Sequence, residues 1–179
     1  MIYVFLADGF EEMEALAPID LLRRAGLSVQ TVGVGSRCPT GAHGIPLTAD
    51  ITEAEVELSV MEALVLPGGM PGTTHLDASE TVRSAIAYAS AHGLPMGAIC
   101  AAPSVLGHAG VLRGLKATCF PGFEPELIGA TATDATVITD GTVTTARGAG
   151  VATEFALELV ARLASSESAH RIRKEIQCP

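Results

Sequence analysis

An α/β fold, with a mainly parallel sheet covered by helices on both faces, is what this sequence predicts, and three observations predict it. Strand-length apolar runs alternate with helix-length stretches along the whole chain. The composition is 48% hydrophobic but only 4% aromatic, which suits α/β layering better than an all-β sandwich. Three turn-like segments, Asp8-Gly9-Phe10, Pro67-Gly68-Gly69 and the stretch opening at Cys100, each follow a buried-looking run. In a parallel sheet the carboxyl ends of the strands share one rim, so segments far apart in sequence converge there.

The elements follow in order. Ile2–Ala7 reads as the first strand, and Glu11–Ala25 as a helix ended by Arg23, Arg24 and Gly26. Ser28–Val34 is the next strand. Residues 36–50 carry Pro39, Gly41, Gly44 and Pro46 and read as a loop with one short extended piece. Ala63–Leu66 is a buried strand stopped by Pro67-Gly68-Gly69, and Ser79–His92 is a helix closed by Gly93. Pro95–Ile99 is the strand that delivers Cys100, and Pro103–Ala109 the helix after it. Ala117–Phe120 reads as extended. Thr136–Thr139 and Thr142–Ala146 form a hairpin about Asp140-Gly141. Gly148-Ala149-Gly150 leads into a helix over Val151–Leu163, and a charged helix over Glu167–Ile176 closes the chain. No repeat or linker divides residues 1–179, which read as one domain.

A net charge of −9 excludes the basic stripe of a nucleic-acid surface. Four cysteines, Cys38, Cys100, Cys119 and Cys178, show no C-x-x-C and no ligand-like spacing with histidine. A zinc site and a thioredoxin-type pair are therefore not expected, and a reducing, cytoplasmic compartment fits best. Met1–Leu6 lacks a basic leader and is soon followed by Asp8, so it reads as a strand rather than a signal peptide. No apolar run reaches membrane-spanning length. Neither G-x-G-x-x-G nor the phosphate-loop pattern is present, and no cofactor is expected.

Cys100 sits between a strand and a helix start, where partial positive charge favours thiolate over thiol. The alternative is a structural cysteine buried in the core. The two glycines after Pro67 free backbone N–H groups to face a ligand; beside Cys100, the N–H groups of Gly69 and Ala101 read as an oxyanion hole. Glu11, Glu12 and Glu14 crowd the first helical turn. The helix dipole accounts for two of them, and the third is free to turn toward the thiol as a carboxyl of raised pKa. Spacing does not say which. His92 reads as a helix cap, His108 and His170 as surface or packing residues, and His43 or His75 as pocket candidates. Cys119 reads as a core residue, with a resolving thiol as the alternative.

Together these segments resemble the DJ-1/ThiJ/PfpI superfamily, in its DJ-1-like branch. Gly9-Phe10-Glu11-Glu12-Met13-Glu14 is similar to the opening G-x-E-E-x-E element, continued by Pro18-Ile19-Asp20 and Arg23-Arg24-Ala25-Gly26. Val65-Leu66-Pro67-Gly68-Gly69 resembles the second signature and Ala98-Ile99-Cys100-Ala101-Ala102-Pro103 the nucleophile elbow. Arg147-Gly148-Ala149-Gly150 with Glu154-Phe155-Ala156 resembles the final loop and helix. The resemblance implies a flavodoxin-like sandwich forming a homodimer, with Glu14 as the carboxyl partner of Cys100 and Gly69 and Ala101 as backbone donors. It implies a glutathione-independent glyoxalase or deglycase acting on small α-oxoaldehydes or glycated adducts. The other implied role is an oxidative-stress sensor or chaperone switched by Cys100 oxidation.

Three departures stand out. Phe120 occupies the place before Pro121 where some relatives carry a histidine, and Gly68, His43 and Phe120 remain pocket candidates. Ala101 stands where protease-like members have a histidine, so protease activity is not expected. His43 stands where relatives place an arginine near the dimer interface.

Overall fold

The computed structural model describes residues 1–179. The chain runs β1 (Ile2–Ala7), α1 (Glu12–Arg24), β2 (Val29–Val34), β3 (Ile51–Thr52), β4 (Ala63–Leu66), α2 (Gly72–Ala78), α3 (Glu80–His92) and β5 (Met96–Ile99). It continues through α4 (Pro103–His108), β6 (Lys116–Ala117), β7 (Thr131–Ala132), β8 (Val137–Asp140), β9 (Val143–Ala146), α5 (Ala152–Leu163) and α6 (Ser166–Glu175). Seven strands form one sheet in the order β3-β2-β1-β4-β5-β9-β8, and β6 pairs with β7 apart from it. Every pairing in the large sheet is parallel except the β8–β9 hairpin.

Strand periodicity builds two cores. Successive residues of β1 face opposite sides, so Val4 and Leu6 enter one apolar cluster while Tyr3, Phe5 and Ala7 enter the other. The first cluster lies under α1, α5 and α6, the second under α2, α3 and α4. A strand buried on both faces has no polar alternation, which is why IYVFLA is apolar at every position. Gly97 in β5 is small for a packing reason: a Cβ there would stand 3.0 Å from Leu159 and 3.1 Å from the Phe155 ring, both on α5.

Caps set the helix bounds. Glu11 accepts from the Glu14 N–H at 2.8 Å to start α1, and Ser79 Oγ accepts from the Val82 N–H at 3.2 Å to start α3. Gly93, in the left-handed region at φ 64°, ends α3.

Helix α2 covers a stretch to which the sequence assigns no element. Two expectations need adjustment. Extended pairing covers Lys116–Ala117 rather than Ala117–Phe120; beyond it the chain is tied by the Thr118 N–H to Thr145 Oγ1 at 2.9 Å. A short 3₁₀ turn, Ala149–Val151, precedes α5. No helix is long and apolar enough to cross a membrane.

Candidate active site

Cys100 ends β5 in a conformation that L-residues avoid, with φ 64°. Three backbone bonds hold it there: the Cys100 N–H donates to Ala146 O at 2.9 Å, the Phe120 N–H to Cys100 O at 2.8 Å, and the Ala102 N–H to Ile99 O at 3.1 Å. The neighbouring strand and the chain after β6 thus over-determine a strained turn. Its effect is to lift the thiol out of the sheet toward the rim, where Cys100 is half-buried.

The rim segments meet at this sulfur. The backbone N–H groups of Gly69 and Ala101 lie near it and favour its anion. Glu14, 1% exposed, comes up from the first turn of α1 to face it. Glu14 Oε2 accepts from the Gly68 N–H at 2.9 Å, whereas its buried Oε1 has no hydrogen-bond partner. Gly68 has to be glycine: a Cβ would lie 2.6 Å from Glu14 Oε2, 2.7 Å from Cys100 Cβ and 2.8 Å from Ile99 O. The segment Gly148-Ala149 closes the far side, with the Ala149 N–H directed toward Glu14.

Burial pushes the Glu14 carboxyl up to about 7, with the Glu11 charge adding to the effect. Burial and the facing Glu14 charge push the Cys100 thiol up to about 12. The two groups therefore do not carry charge together; near neutral pH the pair holds one negative charge and one proton. The Gly69 and Ala101 N–H groups favour charge on sulfur, and the unpartnered Oε1 is where a carboxyl hydroxyl fits. That favours thiolate beside carboxylic acid over thiol beside carboxylate. Helix α4 begins at Pro103, so the Glu14 carboxyl adds to the helix start in setting the ionisation of Cys100.

The other acids of the first turn have separate tasks. Glu11 is the N-cap of α1. Glu12, in the first turn of α1, is also a loop anchor: it is buried, and accepts from the His43 N–H at 2.8 Å and the Ile45 N–H at 3.5 Å. Its Oε2 lies 2.8 Å from His43 Nδ1, which ties His43 to Glu12 rather than to the sulfur. Donor atoms of Glu11, Glu12 and His43 lie within 4.8 Å of one another, but those of Glu12 are taken up by the loop. Phe120 is 48% exposed and flanks the site through its backbone bond to Cys100.

Cys119 is buried in the core cluster on the opposite face from the one Cys100 packs against. His75 lines a rim cleft with Asp8 and Glu53. His108 is a bridge, its ring nitrogens 2.9 Å from both Asp77 and Glu126. Sequence reasoning assigns no role in the site to Gly148-Ala149; two small residues before a helix carry no signal of their own.

A strained cysteine at a strand end, beside a buried carboxyl, sits on the rim of an α/β protein of flavodoxin-like architecture. The chain matches the DJ-1/PfpI family over residues 1–162 and belongs to it. It is 36% identical over 174 residues to protein dj-1beta of Drosophila melanogaster, covering 96% of this chain and 93% of that one. A deglycase of Pyrococcus horikoshii is 36% identical over 138 residues, 75% of this chain and 82% of that one. The structure of a cysteine-to-alanine mutant of a DJ-1 superfamily protein from Salmonella typhimurium superposes with TM-score 0.94 at 34% identity, covering 99% of this chain and 98% of that one.

Proposed function

We propose that this protein is a cofactor-independent cysteine enzyme acting on small α-oxoaldehydes or their adducts, in the manner of a glutathione-independent glyoxalase or deglycase. The observation that carries the reading is the buried Glu14 carboxyl, held by the Gly68 N–H, facing the sulfur of a cysteine in the left-handed region at a strand end. The deglycase name of an archaeal relative agrees with it.

The Cys100 sulfur attacks the aldehyde carbon. A C–S bond forms, the carbonyl electrons move to oxygen, and Glu14 supplies the proton that makes a hemithioacetal. The oxyanion develops beside the sulfur, within reach of the same Gly69 and Ala101 N–H groups. Glu14, now a carboxylate, takes the hydrogen on that carbon as a proton and delivers it to the neighbouring carbon, while the hydroxyl proton of the first carbon passes to the ketone oxygen, so that the first carbon becomes the carbonyl and the second carries the hydroxyl. The product is a thioester of a 2-hydroxyacid. Water cleaves it, releasing the hydroxyacid and the Cys100 thiol. With a hemiaminal or hemithioacetal adduct, the C–N or C–S bond breaks as the adduct hydroxyl gives up its proton and the departing amine or thiol takes one from Glu14, and Cys100 then attacks the aldehyde so freed.

Four free cysteines agree with a reducing, cytoplasmic setting. Met13 and Leu16, exposed on α1, supply apolar surface for a homodimer. The test is lactate formation from methylglyoxal without glutathione. Cys100→Ser and Glu14→Gln are each expected to lose at least about 100-fold in turnover; full lactate production by Cys100→Ser overturns the mechanism. A sensor role has one observation in its favour: the two N–H groups and the carboxyl around the sulfur would equally hold a sulfinate.

A further inference from the structure

The sheet ends at β8, and that edge is open. The Arg147 N–H donates to Thr136 O at 2.9 Å, and the register continues through Ile138↔Thr145 and Asp140↔Val143. In an antiparallel pair the residues between these bonded ones turn their N–H and C=O groups outward. Those residues are Val137 and Thr139, and no strand follows β8 in the sheet. Proteins blunt such an edge with proline, a bulge or a very short strand. The opposite edge, β3, is two residues long; β8 has four, none of them proline. Strand β8 borders an open groove of about 640 Å³ that it shares with α5 and α6, with Leu157, Ala161 and Ala169 in the lining. Val137 packs on the core under α5, and the Thr139 hydroxyl bonds to Glu158 on that helix. The outward-bonding residues thus place their side chains on the α5 side.

The α5 wall of this groove is acidic. Glu158 Oε1 accepts the Thr139 hydroxyl at 2.9 Å, and Glu154, one helical turn earlier, lines the same groove as Val137. Two strand residues advance about 6.6 Å and four helical residues about 6 Å, so the two carboxylates keep step with the two outward-bonding residues. Neither carboxylate forms an ion pair. On the α6 wall stand His170 and Arg173, and Arg173 Nη1 is turned to the chain end, 2.7 Å from Pro179 O. The net charge of −9 disfavours a second copy on this edge, since its own β8 would bring Asp140 and no lysine or arginine. A strand added antiparallel to β8 sets the residues opposite Val137 and Thr139 on the α5 side. Lysine or arginine at those two positions meets both carboxylates.

We infer that β8 is a docking edge for an extended basic peptide segment, which adds antiparallel to the sheet and sets lysine or arginine side chains two positions apart against Glu154 and Glu158. The inference is independent of the chemistry at Cys100. The probe is the fluorescein-labelled peptide Thr-Lys-Val-Lys-Val-Thr, its binding followed by anisotropy up to about 1 mM protein. The counterpart with glutamate in place of lysine is expected not to bind in that range. Methylating both lysine backbone nitrogens, whose N–H groups face β8, is expected to weaken binding at least about tenfold, whereas methylating both valine nitrogens, which face away, changes it less than about twofold. The double variant Glu154→Gln/Glu158→Gln, in which the glutamine oxygen can still accept the Thr139 hydroxyl, is expected to bind the lysine peptide about fivefold more weakly. No binding of the lysine peptide, equal losses from the two methylation patterns, or unchanged affinity in the double variant overturns the docking edge. Apparent affinity that falls as protein concentration is raised places a second copy on the edge and overturns it as well.

Discussion

Replacing Glu14 by glutamine tests the shared proton through stability alone, without any substrate. The amide oxygen of glutamine can accept the Gly68 N–H bond that Glu14 Oε2 now accepts at 2.9 Å, and its NH₂ can donate toward the sulfur. The variant therefore mimics a carboxyl that never ionises. In the wild type, burial raises the Glu14 carboxyl from 4.5 to about 7. Between those values the native state holds a proton that the unfolded chain has released. Its stabilising effect is complete at low pH and is lost as pH rises through about 7. A shift of that size corresponds to about 3 kcal/mol, or roughly 5–10 °C in Tm for a chain of this length. Urea unfolding of both proteins at about pH 5 and about pH 8, each carrying Cys100→Ser so that no coupled thiol titrates, reads the difference, since contributions of the remaining groups cancel. The gap between variant and wild type is expected to move by about 3 kcal/mol in favour of glutamine at the higher pH. An unchanged gap refutes the raised carboxyl.

Further outcomes follow from the same geometry. Gly68→Ala places a Cβ within 2.6–2.8 Å of three atoms of the site. It should lower stability by about 1–3 kcal/mol and turnover at least about tenfold; a thermal melt and methylglyoxal assay that both match wild type contradict the tight fit. His108 is held cationic by Glu126 and Asp77, so its pKa is raised and its bridge persists at low pH but is lost as pH climbs past that raised value. His108→Gln should flatten that part of the pH–Tm curve by about 0.5–1 kcal/mol, and identical slopes refute the bridge. Glu12→Ala leaves the His43 and Ile45 N–H groups without their carboxylate. Faster proteolytic cleavage in residues 37–49 is expected, and unchanged cleavage contradicts the anchoring role.

The features legible in the sequence are those with local chemistry. An apolar run that stops at a cysteine and then a proline marks β5, the elbow and α4. Ser79 and Gly93 bracket α3 because cap residues act through their own side chain or their own φ. The seven residues of α2 include Gly72, Thr73 and Thr74, poor helix formers that packing against β1 and α4 holds in place. Strands β3, β6 and β7 are two residues each, too short for any periodicity. In the site, three glutamates within four positions look alike on paper. They separate only when the chain curls: Glu11 caps, Glu12 grips the loop carrying His43, and Glu14 faces the sulfur. Gly148-Ala149 is silent in the sequence because its contribution is backbone next to Glu14.

Whether the negative charge of the pair rests on sulfur is measured most directly by thiolate absorbance near 240 nm, followed against pH as wild type minus Cys100→Ser. The account predicts that thiolate at Cys100 appears with a midpoint at or below about 7, where the pair loses its first proton. A thiol that stays protonated until pH approaches about 12, with Glu14 ionised beside it, would contradict it.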